Sequence, residues 1–245
     1  MSEIAREELL VSVIADMLQD LNHVAVGALS PIPGAAALLA RARSGKRLRV
    51  SLLGSQKHNP FTDGGKELFD CAAQGRIDAF FLSGGQIDGE GNINLVGVGD
   101  YPDLKVRWNG SFGSTYLYFL VPRVILFREE HTPRVFVPKV DFISAPGTSD
   151  PATYRTGGPH ALVTGRCVFG FDKANRRFRL DSVHEGETPD SVREATGFDY
   201  ESPDAVPPTP APSAETLSLL RGQVAEEIAE TYPEFAARLF GKAAA

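Results

Sequence analysis

The sequence predicts a single α/β domain carrying a C-terminal arm. Helical stretches alternate with short apolar strands along most of the chain. The run "IDAFFLSGG" (77–85) is apolar on both faces, as in a parallel strand covered by helices. The proline-rich stretch "ESPDAVPPTPAPSAE" (201–215) then ends the alternation. Together these set the expected division: an α/β domain over 1–200 and a proline-rich linker with a helical arm over 201–245.

Each element has its own signal. Ile4, Leu9, Val13, Ile14, Met17 and Leu18 recur with helical period, and Asn22 stops that helix. "HVAVGA" (23–28) reads as a strand, and "SPIPGAAALLARARSG" as a turn leading into a small-residue helix. "KRLRVSLL" (46–53) is the next strand. "GGKELFDCAAQG" (64–75) is a helix with Gly75 as its cap. "RVILFRE" (123–129) and "VDFIS" (140–144) read as further strands. "GRCVFGFD" and "RFRLDSV" flank the turn "KANRR", so the far end of the sheet is expected to be antiparallel. Prolines keep 201–213 extended, as a surface linker. A last amphipathic helix over about 214–230 carries Leu219, Leu220, Val224 and Ile228; with Phe235 and Leu239 it offers apolar surface to a partner or to its own domain.

Composition narrows the function classes. The chain has 245 residues, 42% hydrophobic and 23% charged, with a formal net charge of −6. That balance argues against a nucleic-acid partner, because a phosphate backbone demands a basic face. "NRRFR" (175–179) is the longest basic cluster, read as a solvated strand end with phosphate binding as the minor alternative. Cys71 and Cys167 lie far apart, which fits two buried thiols in a reducing cytoplasm better than a disulfide framework. No His/Cys grouping has zinc spacing. The N-terminal helix carries acids, so it reads neither as a leader nor as a membrane span.

The informative segment is "FLSGGQIDGEGNINLVGVGDY" (81–101) followed by "KVRWNGSFGS" (105–114). Gly84 and Gly85 end a strand, where missing side chains expose backbone N–H groups to a ligand. Asp88, Glu90 and Asn92 imitate a calcium loop, but Ile93 and Gly99 stand where such a loop needs Gly and Glu. A turn between strands is the alternative. Neither a dinucleotide-binding glycine motif opening a helix nor a Walker-type lysine motif is present.

"GGQIDGEGNIN", "VGDY", "VRWNGSFGS", "KVDFISAPG", "VFGFD" and "TPDSVREATGFDY" occur in the order seen in β subunits of class I coenzyme A transferases. The pattern resembles the glutaconate CoA-transferase type, and is similar to CoA-transferase-like hydrolases that open steroid rings. The likeness runs over about residues 5–200. It implies an open, mostly parallel sheet flanked by helices, an α subunit of like fold as partner, and an acyl-CoA thioester as substrate, with no bound cofactor and no metal. It also implies CoA-ester binding by Gly84, Gly85, Gln86, Gly110, Ser111, Phe112 and Gly113, with the glycines lining one cleft.

In the transferases a β-subunit glutamate just past the second strand attacks the thioester. The resemblance puts that position near Leu53, yet no Glu or Asp occurs from 50 to 61. A second departure is Phe112, where the family has glycine; it would wall the pocket or pack in the core. Three readings stay open. The catalytic carboxylate comes from the α subunit, giving an atypical CoA-ester hydrolase or C–C-cleaving enzyme. Ser55 or His58 has taken over the chemistry, with Gln56 as a hydrogen-bond donor. Or the chain is a non-catalytic acyl-CoA-binding or regulatory subunit. A genuine transferase that moves CoA between carboxylic acids is the remaining alternative.

Overall fold

A computed structural model describes residues 4–241, which divide into two compact units. The first unit joins the N-terminal segment through Phe81 to everything from Pro210 onward; the second runs from Leu82 to Thr209. The C-terminal arm thus groups with the N-terminal segment, and the proline-rich segment is divided between the units.

In the first unit, β1 (His23–Val26) pairs in parallel with β2 (Arg49–Leu52) and with β3 (Ala79–Leu82). The apolar runs demand cover: α1 (Arg6–Asp16) precedes them, and α2 (Pro31–Arg43) and α3 (Gly64–Ala73) connect them. The small-residue helix α2 is buried along Ile32–Ala40 because a second helix lies tightly on it. A methyl group at Gly34 would sit 3.2 Å from Ile228 and 3.3 Å from Leu52. That helix is the C-terminal one: α6 (Ala214–Leu219), a π-helical turn (Leu220–Val224) and α7 (Ala225–Ala229), followed by α8 (Pro233–Phe240). Leu220, Val224 and Ile228 are fully buried within this unit. Of the two destinations open to the arm's apolar face, its own domain takes these residues. Arg221 then closes the junction through a two-pronged ion pair, at 2.6 and 2.7 Å, with the buried Glu8 of α1.

The second unit places β8 (Arg123–Arg128) parallel to β9 (Pro159–Thr164). The strands β9, β10 (Cys167–Asp172) and β11 (Arg177–Val183) then run antiparallel around the 173–176 turn, as the hairpin pattern implied. Short paired strands carry the glycine-rich segment: β4 (Gln86–Ile87) with β5 (Ile93–Asn94), and β6 (Gly97–Val98) with β7 (Val106–Arg107). The helices are α4 (Ser114–Leu120) and α5 (Pro189–Ala195). Phe136, Phe169, Phe178 and Phe198 form an aromatic core closed by His131 and Tyr200.

One expectation is corrected. "VDFIS" is not a strand: the N–H groups of Val140 and Asp141 go to the side chains of Asp88 and Gln86 rather than to a ladder. The proline-rich segment 201–209 is extended, largely exposed and runs along β11. Glu201 and Thr209 exchange backbone hydrogen bonds with β11, so 201–209 shields an edge that would otherwise invite pairing.

Both cysteines are buried, and burial pushes the Cys167 thiol up to about 12, which removes it as a nucleophile. Among the described residues no group of His, Cys, Asp or Glu is placed to hold a metal ion, and no helix is long and apolar enough to cross a membrane.

Burial also governs acid stability. His131 is 4% exposed between the hydroxyls of Thr164 and Thr196, each at 2.8 Å. Desolvation, helped by Arg166 and His184, lowers it to about 4. Its unfolded value is near 6.5, so the stabilisation of the neutral ring is complete above that pH. It is lost as the pH falls through about 4. We expect the urea midpoint to drop over this window, with His131 accounting for at most about 3 kcal/mol. His131→Gln, which cannot titrate, should flatten the slope; an unchanged slope would assign the acid sensitivity elsewhere.

Candidate functional site

Open parallel sheets bind ligands beyond the carboxyl ends of their strands, which singles out the loop after β2. Gly54 turns the chain with φ +92°, and the N–H of Leu52 donates to the carbonyl of His58 at 2.9 Å. The loop therefore doubles back along the strand it has just left.

What fixes it is a carboxylate from far along the chain. Glu230, at the end of α7, accepts from the Ser55 hydroxyl and from the Gln56 N–H, both at 2.7 Å, and from the Thr231 hydroxyl at 2.6 Å. Burial raises its pKa, but these bonds and one from the Lys57 N–H outweigh that, so Glu230 sits below its ordinary value of 4.5. It is ionised and held.

Ser55 is 5% exposed, and its oxygen also accepts the His58 N–H at 2.8 Å. The His58 ring turns away from it. Nδ1 lies 3.2 Å from Nη1 of Arg41, a group that can only donate, so Nδ1 accepts and Nε2 carries the proton. Nε2 is buried without a partner. Burial first, then the Arg41 charge, lowers the pKa of His58. Serine and imidazole thus do not form a nucleophile–base pair, which is a correction to that reading of the loop. The orienting acid that the sequence did not reveal is Glu230, and it orients the serine away from the histidine.

A cleft of about 600 Å³ adjoins the loop, bordered by Arg41, Arg47, Arg49, Lys57, His58 and Glu227. Arg41 is ion-paired to Glu227 at 2.5 Å. Gln56 and Lys57 are exposed. The loop's side-chain chemistry is therefore that of a cationic, hydrogen-bonding platform.

The glycine motifs lie in the second unit. Gly84 and Gly85 border a cleft of about 570 Å³ with Leu95, Val98, Val106 and Trp108. A methyl group on Gly85 would stand 2.3 Å from the Trp108 ring, so the residue is glycine first to seat this indole. Gln86 is buried and committed within the protein: its amide accepts from Asn94 at 2.7 Å and from the Asp141 N–H at 3.0 Å, and donates to the Asp141 carboxylate at 3.1 Å. The turn alternative to a calcium loop is what forms. Asp88 accepts from the N–H groups of Glu90 and Asn92 and from the Asn92 amide, each at 3.1 Å.

Gly110, Ser111, Phe112 and Gly113 do not border that cleft, so the four glycines do not line it together. They form the turn that enters α4, with Gly113 as its N-cap. Phe112 is 93% exposed and adopts φ +44°, a conformation that costs a side chain about 1 kcal/mol or more. Core packing is thereby excluded.

A model of the coenzyme A transferase family matches residues 8–195. A glutaconate CoA-transferase chain of Acidaminococcus fermentans is 32% identical over 59% of this chain and 56% of its own length. A 3-oxoadipate CoA-transferase chain of Pseudomonas knackmussii is 34% identical over 60% and 58%. A cholesterol ring-cleaving hydrolase IpdB subunit of Rhodococcus jostii is 31% identical over 64% and 62%. These matches span less than two thirds of each relative. Among solved structures, Rhodococcus jostii IpdAB superposes with a TM-score of 0.79 at 26% identity, covering 90% of this chain and 94% of that one. A variant of the decarboxylase AibA/AibB gives 0.75 at 25%, covering 89% and 95%. The chain belongs to the coenzyme A transferase family.

Ser55→Ala removes a buried hydroxyl that donates once and accepts once, so it should cost about 1–2 kcal/mol of stability. Turnover of the assembled enzyme should stay within tenfold. A Ser55→Ala protein with unchanged melting temperature and no activity would restore Ser55 as the nucleophile.

Proposed function

We propose that this chain is the β-type subunit of a two-subunit enzyme acting on an acyl-CoA thioester by a route that forms no glutamyl-CoA ester on this chain. The chemistry is hydrolysis of the CoA ester or cleavage of a C–C bond, with the reacting carboxylate supplied by an α subunit of like fold. One observation carries the reading. From 50 to 61 the segment after β2 has no acid of its own, and the acid that reaches Ser55 and Gln56, Glu230, has both oxygens engaged and a lowered basicity. A carboxylate so occupied is a poor nucleophile.

Relatives named as ring-cleaving hydrolase and decarboxylase subunits support chemistry other than CoA transfer on this fold. The two transferase relatives favour the alternative, a genuine transferase subunit. On the main reading the CoA ester is a substrate and not a resident cofactor. Gly84, Gly85 and Trp108 supply one wall for it, and Gly110, Ser111, Phe112 and Gly113 present a second contact surface. Taken by itself, the loop of the first unit offers Gln56, Asn59 and Lys57 as donors to a polar or anionic group. Donors aimed at a developing oxyanion typically contribute about a hundred- to a thousandfold in rate.

The test is to co-purify the chain with its partner and offer acyl-CoAs with and without a free carboxylic acid. Hydrolysed or cleaved products are expected, with no CoA moved to the acid. Borohydride or hydroxylamine during turnover should leave no adduct within 49–65. An adduct there, or CoA transfer to the acid, would overturn the proposal. Binding without turnover would mark a non-catalytic subunit. Trp108 is the single tryptophan. Its emission should shift when a CoA ester enters the cleft, and an unmoved spectrum at saturation would place the ester elsewhere.

A further inference from the structure

The second unit contains a cationic pocket that the proposed chemistry does not use. It encloses about 300 Å³ between the segment 147–159 and the turn joining β10 to β11. Arg155 lies at its base, its guanidinium stacked 5.4 Å from the ring centres of both Tyr118 and Phe119. Every polar partner it has is neutral: the carbonyls of Tyr118 at 3.1 Å and Pro146 at 2.9 Å, and the Ser149 hydroxyl at 3.1 Å. Its Nε is buried with no partner. Lys173 and Arg176 also line the pocket, and neither makes an ion pair or a side-chain hydrogen bond among the described residues. Arg176 holds φ +54°, off the ordinary backbone regions, in the basic run that the sequence singled out.

A guanidinium taken partly out of water without a counter-charge is costly, and a second cation beside it raises that cost. Burial lowers the pKa of Arg155, which an anion beside it would relieve. The pocket's own acid does not do this. Asp150 has one oxygen engaged by the Ala152 N–H at 2.8 Å, and none of the groups acting on Arg155 is a carboxylate. Around the cations stand the hydroxyls of Thr148, Ser149 and Thr153. Gly158, at φ +127°, leaves open the approach to the guanidinium; a methyl group there would lie 3.8 Å from its Nη2.

We propose that Arg155, Lys173 and Arg176 form a binding site for a compact phosphate group, held against Thr148 and Ser149. A dianion matches the surplus of cations over Asp150, and guanidinium groups suit phosphate oxygens in paired geometry. The volume admits a phosphate with a few waters, which makes it a site for free phosphate or for the terminal phosphate of a nucleotide. Coenzyme A itself carries a 3′-phosphate and a pyrophosphate, so the site is proposed for phosphate as such, whether or not the acyl-CoA reading holds.

The test is calorimetric titration of the purified full-length chain, or of the complex it purifies in, with inorganic phosphate and separately with ADP, at ionic strength fixed by chloride. Saturable phosphate binding is expected, weakened at least tenfold in a Lys173→Ala/Arg176→Ala variant. Both residues lie on an exposed turn, so folding should persist, and melting temperature without ligand checks that it does. Lys66→Ala, an exposed lysine of the first unit, should bind as the unaltered protein does. Tighter binding of ADP than of phosphate would identify a nucleotide as the source; equal or weaker binding would identify free phosphate. No saturable binding of either probe would overturn the proposal, as would binding that the double variant leaves intact.

Discussion

The carboxylate of Glu230 holds the loop after β2 in a single geometry. It gathers a side-chain hydroxyl, two backbone N–H groups and its neighbour Thr231 around one charge. A loop built from glycine, serine and polar residues has no apolar reason to adopt one shape, and ordering it costs about 1–2 kcal/mol per residue in backbone entropy. Ionic hydrogen bonds to backbone donors offset part of that. They also require the C-terminal helix to be present and correctly placed, which Gly34 permits and Arg221–Glu8 secures. The arm is therefore part of the site's scaffold.

That dependence ties the loop's serine, its histidine and Glu230 to contacts within the protein. Ser55 is saturated, His58 is neutral and turned to Arg41, and Glu230 is stabilised in its charged form. Ser55 and Glu230 are committed to holding backbone, and the His58 ring to Arg41. The exposed donors that remain, chiefly Gln56 and Lys57, suit recognition of a charged or polarised substrate.

The second unit solves a similar problem with buried amides. Gln86, Asn94 and Asp141 satisfy one another and the turns around them, while Asp88 closes the turn of its hairpin. Burial raises the pKa of Asp88 despite four hydrogen bonds from its surroundings, which shows how dry this region is. The short strands here gain little from ladder bonds, and these side-chain networks hold them instead. Within this unit the positive-φ residues other than glycine, Phe112 and Arg176, lie at the exposed periphery.

Much was determined by the sequence alone. The period of α1, the double-faced apolarity of β3, the hairpin over 167–183 and the order of the glycine motifs all depend on neighbouring residues, so local pattern sufficed. The absence of an acid from 50 to 61 needed no structure either. What the tertiary structure decided are the pairings between distant residues. Glu230 meets Ser55 across 175 positions, and Trp108 fills the space above Gly85. Gln86 spends its amide on Asp141 across 55 positions, and residues 201–209 run along β11 instead of apart from it. Residue type tells that a serine, a glutamine or a glycine is able to serve a ligand. Whether it does so or serves the fold depends on which partner chain packing brings within about 3 Å, and local sequence carries no record of that distance.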